Sequence, residues 1–389
     1  MRRSGKQQRG AATLALTLAI LLLGTLVVFS FAQAVLMQQK VANNATRAAQ
    51  AFEAAEAGLH AALAYLADNP DRDDDGHVDP VFDTNGDGRG DTNTASIGAG
   101  SMAVATQDLS DGAMTRIAVT AHGYSDDRSA SRTLAQTYVT LDPLPHLPRI
   151  PVTAAGALQV HGYMAVNNPQ AHDAIWSGGG LLVDATAMFT IATPDATDAN
   201  YPACLALRAC ATSSTTGSAA AGVVTQDATL RALDADALFR HAFSIAPAGF
   251  VATLVTRATT PDAFAHDAQL AGRNVIYSNG TTVAGKLTLG CREALTGNTP
   301  CPATARRPAL VVIAADAVFA ADSQLYGLLF TSGTLTVSGA LHVHGALITA
   351  GDIVVSNGGV LDVSFDPFAL AELHKAGPLV PLAGTWQAL

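Results

Sequence analysis

No proline occurs before Pro70, no charged residue lies between Ala11 and Met37, and no acidic residue lies in the leader that precedes that run. The missing proline removes the commonest cause of a helix break along the whole stretch. The missing charge excludes an ordinary solvated surface helix, and the missing acid leaves Arg2, Arg3, Lys6 and Arg9 as an uncompensated basic flank. The chain also lacks G-x-S-x-G, H-E-x-x-H and phosphate-cradling glycine loops, so the common hydrolase, zinc-protease and nucleotide motifs have no foothold. Charged residues make up only 14% of the 389, and a net charge of −10 argues against a general nucleic-acid binder.

What is present begins with the apolar run Ala11–Met37, whose helical length approaches ~40 Å, more than the roughly 30 Å of a bilayer core. The basic flank places its own end in the cytoplasm and the rest of the chain outside. After Met37 no turn cluster intervenes. The segment QQKVANNATRAAQAFEAAEAGLHAALAYLADN sets Phe52, Ala55, Leu59, Leu63 and Leu66 at helical spacing opposite Glu53, Glu56 and His60. One helix over residues 11–68 is expected, membrane-spanning over 11–37 and amphipathic beyond.

The stretch QQRGAATLALTLAILLL followed by AFEAAEAGLHAAL resembles the N-terminal region of PilX-type minor pilins, within the type IV pilin and pseudopilin superfamily. The resemblance covers residues 7–66. It implies a leader of residues 1–10, cleavage by a prepilin peptidase between Gly10 and Ala11, methylation of the new amino terminus, and packing of the helix into a filament core. Most major pilins carry Glu at the fifth mature position, where it neutralises a neighbour's terminal amine in an apolar setting. Here that position is Ala15, which suits a low-copy or tip subunit better than the bulk polymer.

Directly after the helix comes DNPDRDDDGHVDPVFDTNGDGRGDTN. Asp71, Asp73, Asp75, Gly76 and Asp79 form D-x-D-x-D-G-x-x-D, and Asp83, Asn85, Asp87, Gly88 and Asp91 repeat the pattern twelve residues on. Side chains at loop positions 1, 3 and 5 converge on a hard cation, Gly at 6 allows the sharp turn, and position 7 offers a carbonyl, here from His77 or Arg89. Calcium is the expected ion. Position 12 holds Phe82 or Thr94 rather than the bidentate Glu of an EF-hand, so affinity in the weak extracellular range is expected. Arg89, Gly90 and Asp91 also spell the tripeptide of integrin ligands, a weaker pointer to a host or surface ligand.

The fold class expected is α+β: a long stalk helix with a small antiparallel sheet, then a large, mostly β domain. Residues 11–68 form the stalk, 69–94 the tandem calcium loops, 95–142 a β-meander, 143–151 a proline-rich linker, 152–370 the β-rich head domain and 371–389 a C-terminal tail. Short apolar runs bounded by Gly, Ser or Asn favour a β-solenoid, with a sandwich as the alternative. GALQVHG at 156–162 returns as GALHVHG at 339–345, which reads His161 as the counterpart of a histidine on the second copy's strand. His342 and His344 share one face there, but no acid–base or nucleophile partner is evident and catalysis is not expected. LRALDADALFRHAF at 230–243 reads as one short helix, and Trp176 as a packing residue at a rung edge. Cys204 with Cys210 and Cys291 with Cys301 fit two local disulfides in an oxidising compartment.

The function these features point to is a minor pilin that primes assembly with other minor pilins and the major pilin, and supports adhesion, motility or DNA uptake. The subunit would sit in the inner membrane before assembly and on an extracellular pilus after it. A type II secretion pseudopilin and a membrane-anchored carbohydrate-binding protein are the alternatives.

The calcium reading makes a first prediction. With free calcium a hundredfold above Kd, binding to the folded state alone adds about 2.7 kcal/mol of stability. Scanning calorimetry should show a higher melting temperature in calcium than in chelator; identical curves, with no heat on titration, would remove calcium from the account.

Overall fold

The computed structural model describes residues 7–68, 95–97, 100–110, 115–170, 173–194, 212–216, 222–255, 257–259, 275–291, 301–302 and 305–389. Helix α1 runs unbroken over Gln7–Asp68. Three hydroxyl side chains of its apolar half turn back onto their own helix: Thr17, Thr25 and Ser30 donate to the carbonyls of Leu14, Leu22 and Leu26 at 2.8–2.9 Å, so they present no unsatisfied group to an apolar surrounding. The buried face begins only at Ala51 and continues through Ala54, Ala55, Leu59, Ala62 and Leu66.

That face lies under an antiparallel sheet in the order β1 (Ala95–Ile97), β2 (Gly100–Asp108), β3 (Arg116–Tyr124) and β4 (Ser131–Thr140). The strands alternate as a half-buried sheet must. Met102, Val104, Ile117, Val119, Ala121, Leu134 and Tyr138 point into one core with the helix residues. Small residues set the spacing: a Cβ on Gly123 would fall 2.0 Å from the Ala51 carbonyl oxygen.

The chain end corrects one expectation. Residues 371–389 are not a tail: Leu379–Pro381 and Gln387–Ala388 both pair antiparallel with β4. The Gln136 amide donates to the Leu382 carbonyl at 3.1 Å and to the Thr385 hydroxyl at 2.8 Å. The open edge of β4 supplies the hydrogen-bond partners that recruit this segment. The β-rich body is therefore an insertion into the head sheet, between β4 and the last strands.

The inserted body is a three-faced solenoid of parallel, in-register strands. One face reads, in stacking order, Thr281–Val283, Ala317–Phe319, Leu335–Val337, Ile353–Val355, Leu158–Val160 and Leu181–Val183. Stacking order is not chain order. The chain lays down two rungs from Val152 onward, starts again at the far end, and winds back until Ile353 seats on Leu158. The same junction pairs Leu347 with Val152 and Val360 with Tyr163.

A six-residue period builds the wall. Val311, Ala317, Ser323, Leu329, Leu335, Leu341, Leu347 and Ile353 are all buried, and so is the residue two positions after each: Ile313, Phe319, Leu325, Thr331, Val337, Val343, Thr349 and Val355. Three such units close a rung, so Thr331 and Thr349 stack with a separation of 18 residues and a 2.8 Å hydroxyl contact. Thr349 then donates to the Gly333 carbonyl at 2.8 Å, which satisfies the ladder inside an apolar core. The corners need glycine. Gly327 and Gly345 hold φ of +130° and +145°, and a Cβ on Gly345 would stand 1.9 Å from the Gly327 oxygen.

Two further expectations change. The GALxVHG copies do not occupy equivalent places, because Leu158 belongs to the face that runs from Thr281–Val283 to Leu181–Val183, whereas Leu341 lies on the neighbouring face between Ser323 and Leu361. His161 therefore has no counterpart in the second copy. The segment 230–243 is split between two helices, Ala228–Arg231 and Ala235–Phe243, because Asp234 leaves the helix and caps the second one by accepting from the Ala237 N–H. With Pro247–Thr253 these helices cover an apolar outer face, where Phe239 meets Phe330 edge-on at 5.1 Å. Trp176 packs on that cluster and donates its indole N–H to Asp227 at 3.1 Å.

Leu347→Ala removes a wall residue at the junction of the two winding segments and should cost about 2–5 kcal/mol in urea unfolding. Leu182→Ala, on an exposed outer position of the same solenoid, should change stability by less than about 0.5 kcal/mol. Equal effects would contradict the inward assignment of the six-residue period.

Candidate functional site

Apolar residues all around a helix mean a lipid or protein surrounding rather than water. The first half of α1 has that character and no cover of its own: Leu14, Leu22, Phe29 and Val41 are each more than half exposed. Gly10 and Ala11 lie within the continuous helix, and Ala15 is exposed on it. The expected processing position therefore heads an uncovered apolar helix long enough by length and composition to cross a membrane.

The expected metal ligands Asp71, Asp73, Asp75, His77, Asp79, Asp83, Asn85, Asp87, Arg89 and Asp91 lie outside the described residues, as do Cys204 and Cys210. Cys291 and Cys301 form a disulfide with a Cα–Cα distance of 5.9 Å. Among the described residues, no group of three His, Cys, Asp or Glu side chains is gathered to hold a metal.

Among the described residues of the solenoid, a concentrated set of polar and aromatic side chains lies on the strands Ser323–Thr331, Ala340–Thr349 and Val360–Ser364. Parallel register aligns Gln324, His342 and Asp362 in one row and Tyr326, His344 and Ser364 in the next. His344 stacks on Tyr326 with ring centroids 4.4 Å apart. His342 Nδ1 lies 3.5 Å from an Asp362 oxygen. Above the stack, the Arg306 guanidinium sits 5.7 Å from the Tyr326 ring centre and pairs with Asp366 at 3.2 Å. Burial, opposed in part by the Asp362 charge, holds the His344 pKa below the ordinary histidine value.

Sequence reasoning found His342 and His344 but missed Tyr326, Arg306 and Asp366. Their assembly depends on register between strands 18 residues apart, which no local motif announces. Two other histidines pair elsewhere: His161 with Asp184 and His374 with Asp142, each at 2.7 Å. The second of these ties the outgoing segment of the solenoid to the incoming one, at the neck where both meet the head sheet.

Residues 9–60, all within α1, match the family model "PilX N-terminal", so the amino-terminal part of this chain is similar to that of PilX-type proteins. A comparison with curated proteins returns no match. Among solved structures, the crystal structure of the competence-associated pilin ComZ from Thermus thermophilus aligns over 88% of this chain and 97% of that one, at 12% identity. The TM-score is 0.26, a value at which the overall arrangements do not coincide.

A depressed histidine pKa has a definite linkage sign. The unfolded chain binds the proton more readily, so the contribution is fully present above the unfolded value of about 6.5 and is lost as pH falls below it. The charges of Asp362 and Asp366 favour the protonated ring, and those of His342 and Arg306 oppose it. The melting temperature should therefore fall on acidification below about pH 6.5, and His344→Phe, which keeps a stacking ring, should flatten that slope. An unchanged slope in the variant would place the sensitivity elsewhere.

Proposed function

We propose that the chain is a minor pilin of a type IV filament, with α1 inserted in the filament core and the solenoid displayed at the tip or surface. The observation that carries this reading is the division of α1 into an uncovered apolar half and a half buried under its own head sheet. An apolar helix of that kind is held by lipid before assembly and by neighbouring helices after it, with inner membrane and pilus as the successive locations. Ala15 in place of a core carboxylate favours low copy number or a tip position over the bulk polymer. The partners are the major pilin and other minor pilins, and the subunit would prime their assembly.

The displayed body fits a role in adhesion, motility or DNA uptake, because the insertion adds a large surface to the head while the last strands still pair with β4. Calcium in the loops between Asp68 and Ala95 would stiffen the connection between stalk and head. A type II secretion pseudopilin would share the helix and head; filament composition separates the two readings.

The mature amino-terminal peptide, taken from cells with an intact prepilin peptidase, should begin with methylated Ala11. Purified filaments should contain this subunit far below the major pilin, and its deletion should reduce piliation. An uncut Met1, or equal stoichiometry with the major pilin, would overturn the reading.

A further inference from the structure

Two successive passages from the strand row holding Tyr326 and His344 to the next face cost the solenoid a single residue each: Gly327 after Tyr326 and Gly345 after His344. The matching corner after Leu287–Leu289 is built differently. Gly290 turns with φ +77°, and the next described wall strand begins at Ala309. The winding of the repeat does not require that extra chain, and its described ends are tied down on the outer face. Cys291 and Arg306 form an antiparallel bridge, and the Arg307 N–H donates to the Gly290 carbonyl at 2.8 Å.

The disulfide lies at the centre of these ties. Cys291, Cys301, Ala305 and Tyr326 form one buried cluster, with both cysteines 1% exposed. The Cys301 N–H donates to the Tyr326 hydroxyl. Arg306 then links three things at once: its Nε donates to the Cys301 carbonyl at 3.1 Å, its guanidinium lies over the Tyr326 ring, and its Nη1 donates to Asp366 at 3.2 Å. Asp366 is the N-cap of the helix Pro367–Glu372, accepting from the Phe368 and Ala369 N–H groups. That helix leads, through the His374–Asp142 pair, to the strands that complete the head sheet.

We propose that the Cys291–Cys301 bridge is a redox-sensitive clasp on the outgoing segment of the solenoid, acting through Arg306 on the Asp366 cap. In the oxidised protein the bridge fixes the Cys301 carbonyl, which orients the Arg306 side chain toward Asp366. Reduction by a dithiol breaks the S–S bond; two electrons and two protons convert Cys291 and Cys301 to thiols while the dithiol closes to its own disulfide. Cys301 then loses its covalent anchor, Arg306 loses the fixed position of one of its three partners, and the Asp366 cap loses an oriented guanidinium, while Leu370 keeps the helix Pro367–Glu372 packed on the outer apolar cluster. The solenoid wall, packed through its six-residue period, does not depend on these contacts.

Hydrogen exchange on the full chain in detergent micelles tests the clasp. Reduction with dithiothreitol, and separately the Cys291→Ser and Cys301→Ser pair, should speed exchange over 366–376 roughly tenfold while amides of 335–355 keep their protection. Arg306→Gln, with the bridge intact, should reproduce the faster exchange over 366–376. Unchanged exchange there in the serine pair or in Arg306→Gln would overturn the proposal. So would an equal loss of protection across the whole solenoid, which would make the bridge a general staple.

Discussion

The seating of Ile353–Val355 on Leu158–Val160 is the contact on which the remaining architecture depends. The solenoid is wound in two segments that run from different starting points, and this junction joins them into one stack. It also brings the incoming strand at Val152 and the outgoing strand at Ser364 to the same level of the stack. Because the two meet there, the chain can return to β4, complete the head sheet and leave the stalk's packing untouched. A solenoid wound in simple chain order would end one full stack away from where it began, and residues 379–388 would have no short route to β4.

What the sequence revealed and what it hid follow from the range of the interactions. Helix α1 was legible because its signals are local: absent proline, absent charge, then Ala55, Leu59 and Leu66 at helical spacing. The solenoid class was legible for the same reason, since each wall strand is a short L-x-V-like pair between turn residues. The order of rungs was not legible, because parallel pairing makes every pair of wall strands compatible with every other; Leu335 could stack on Leu158 as well as on Ile353 by composition alone. The same uniformity explains the misleading GALxVHG copies. A Leu-x-Val pair serves any of the three faces, so near-identity of seven residues did not fix which face each would build.

The return of the chain end to β4 was hidden for a different reason. Leu379–Pro381 and Gln387–Ala388 are too short and too exposed to carry a strand pattern, and their pairing is set by the unsatisfied edge of β4. Gln136 makes the point: its side-chain amide, 7% exposed, finds its partners in Leu382 and Thr385, almost 250 residues away in the chain. The polar cluster at Tyr326 and His344 was half visible for a similar reason. Its histidines share a strand, but its arginine and its second carboxylate arrive from the corner after Gly290 and from the cap of Pro367–Glu372.

This connectivity also determines how force would reach the solenoid. In the proposed filament, tension would be carried between neighbouring copies of the stalk helix; the head sheet is fastened to that helix by the close approach of Gly123 to Ala51 and by the Ala55, Leu59 and Leu66 face. The solenoid hangs from this assembly by two segments that cross at one neck, where the Leu141 N–H donates to the Pro378 carbonyl at 3.0 Å and His374 meets Asp142 at 2.7 Å. A load applied to the stalk therefore passes beneath the rungs. A load applied to the solenoid pulls on both neck segments together, with the β4 pairing of the last strands resisting in shear. Strands joined by several hydrogen bonds loaded in parallel resist better than a stack peeled one rung at a time, which is the mode a simple C-terminal attachment would have imposed. In the proposed filament, the insertion would thus make a large displayed surface compatible with a stalk under tension.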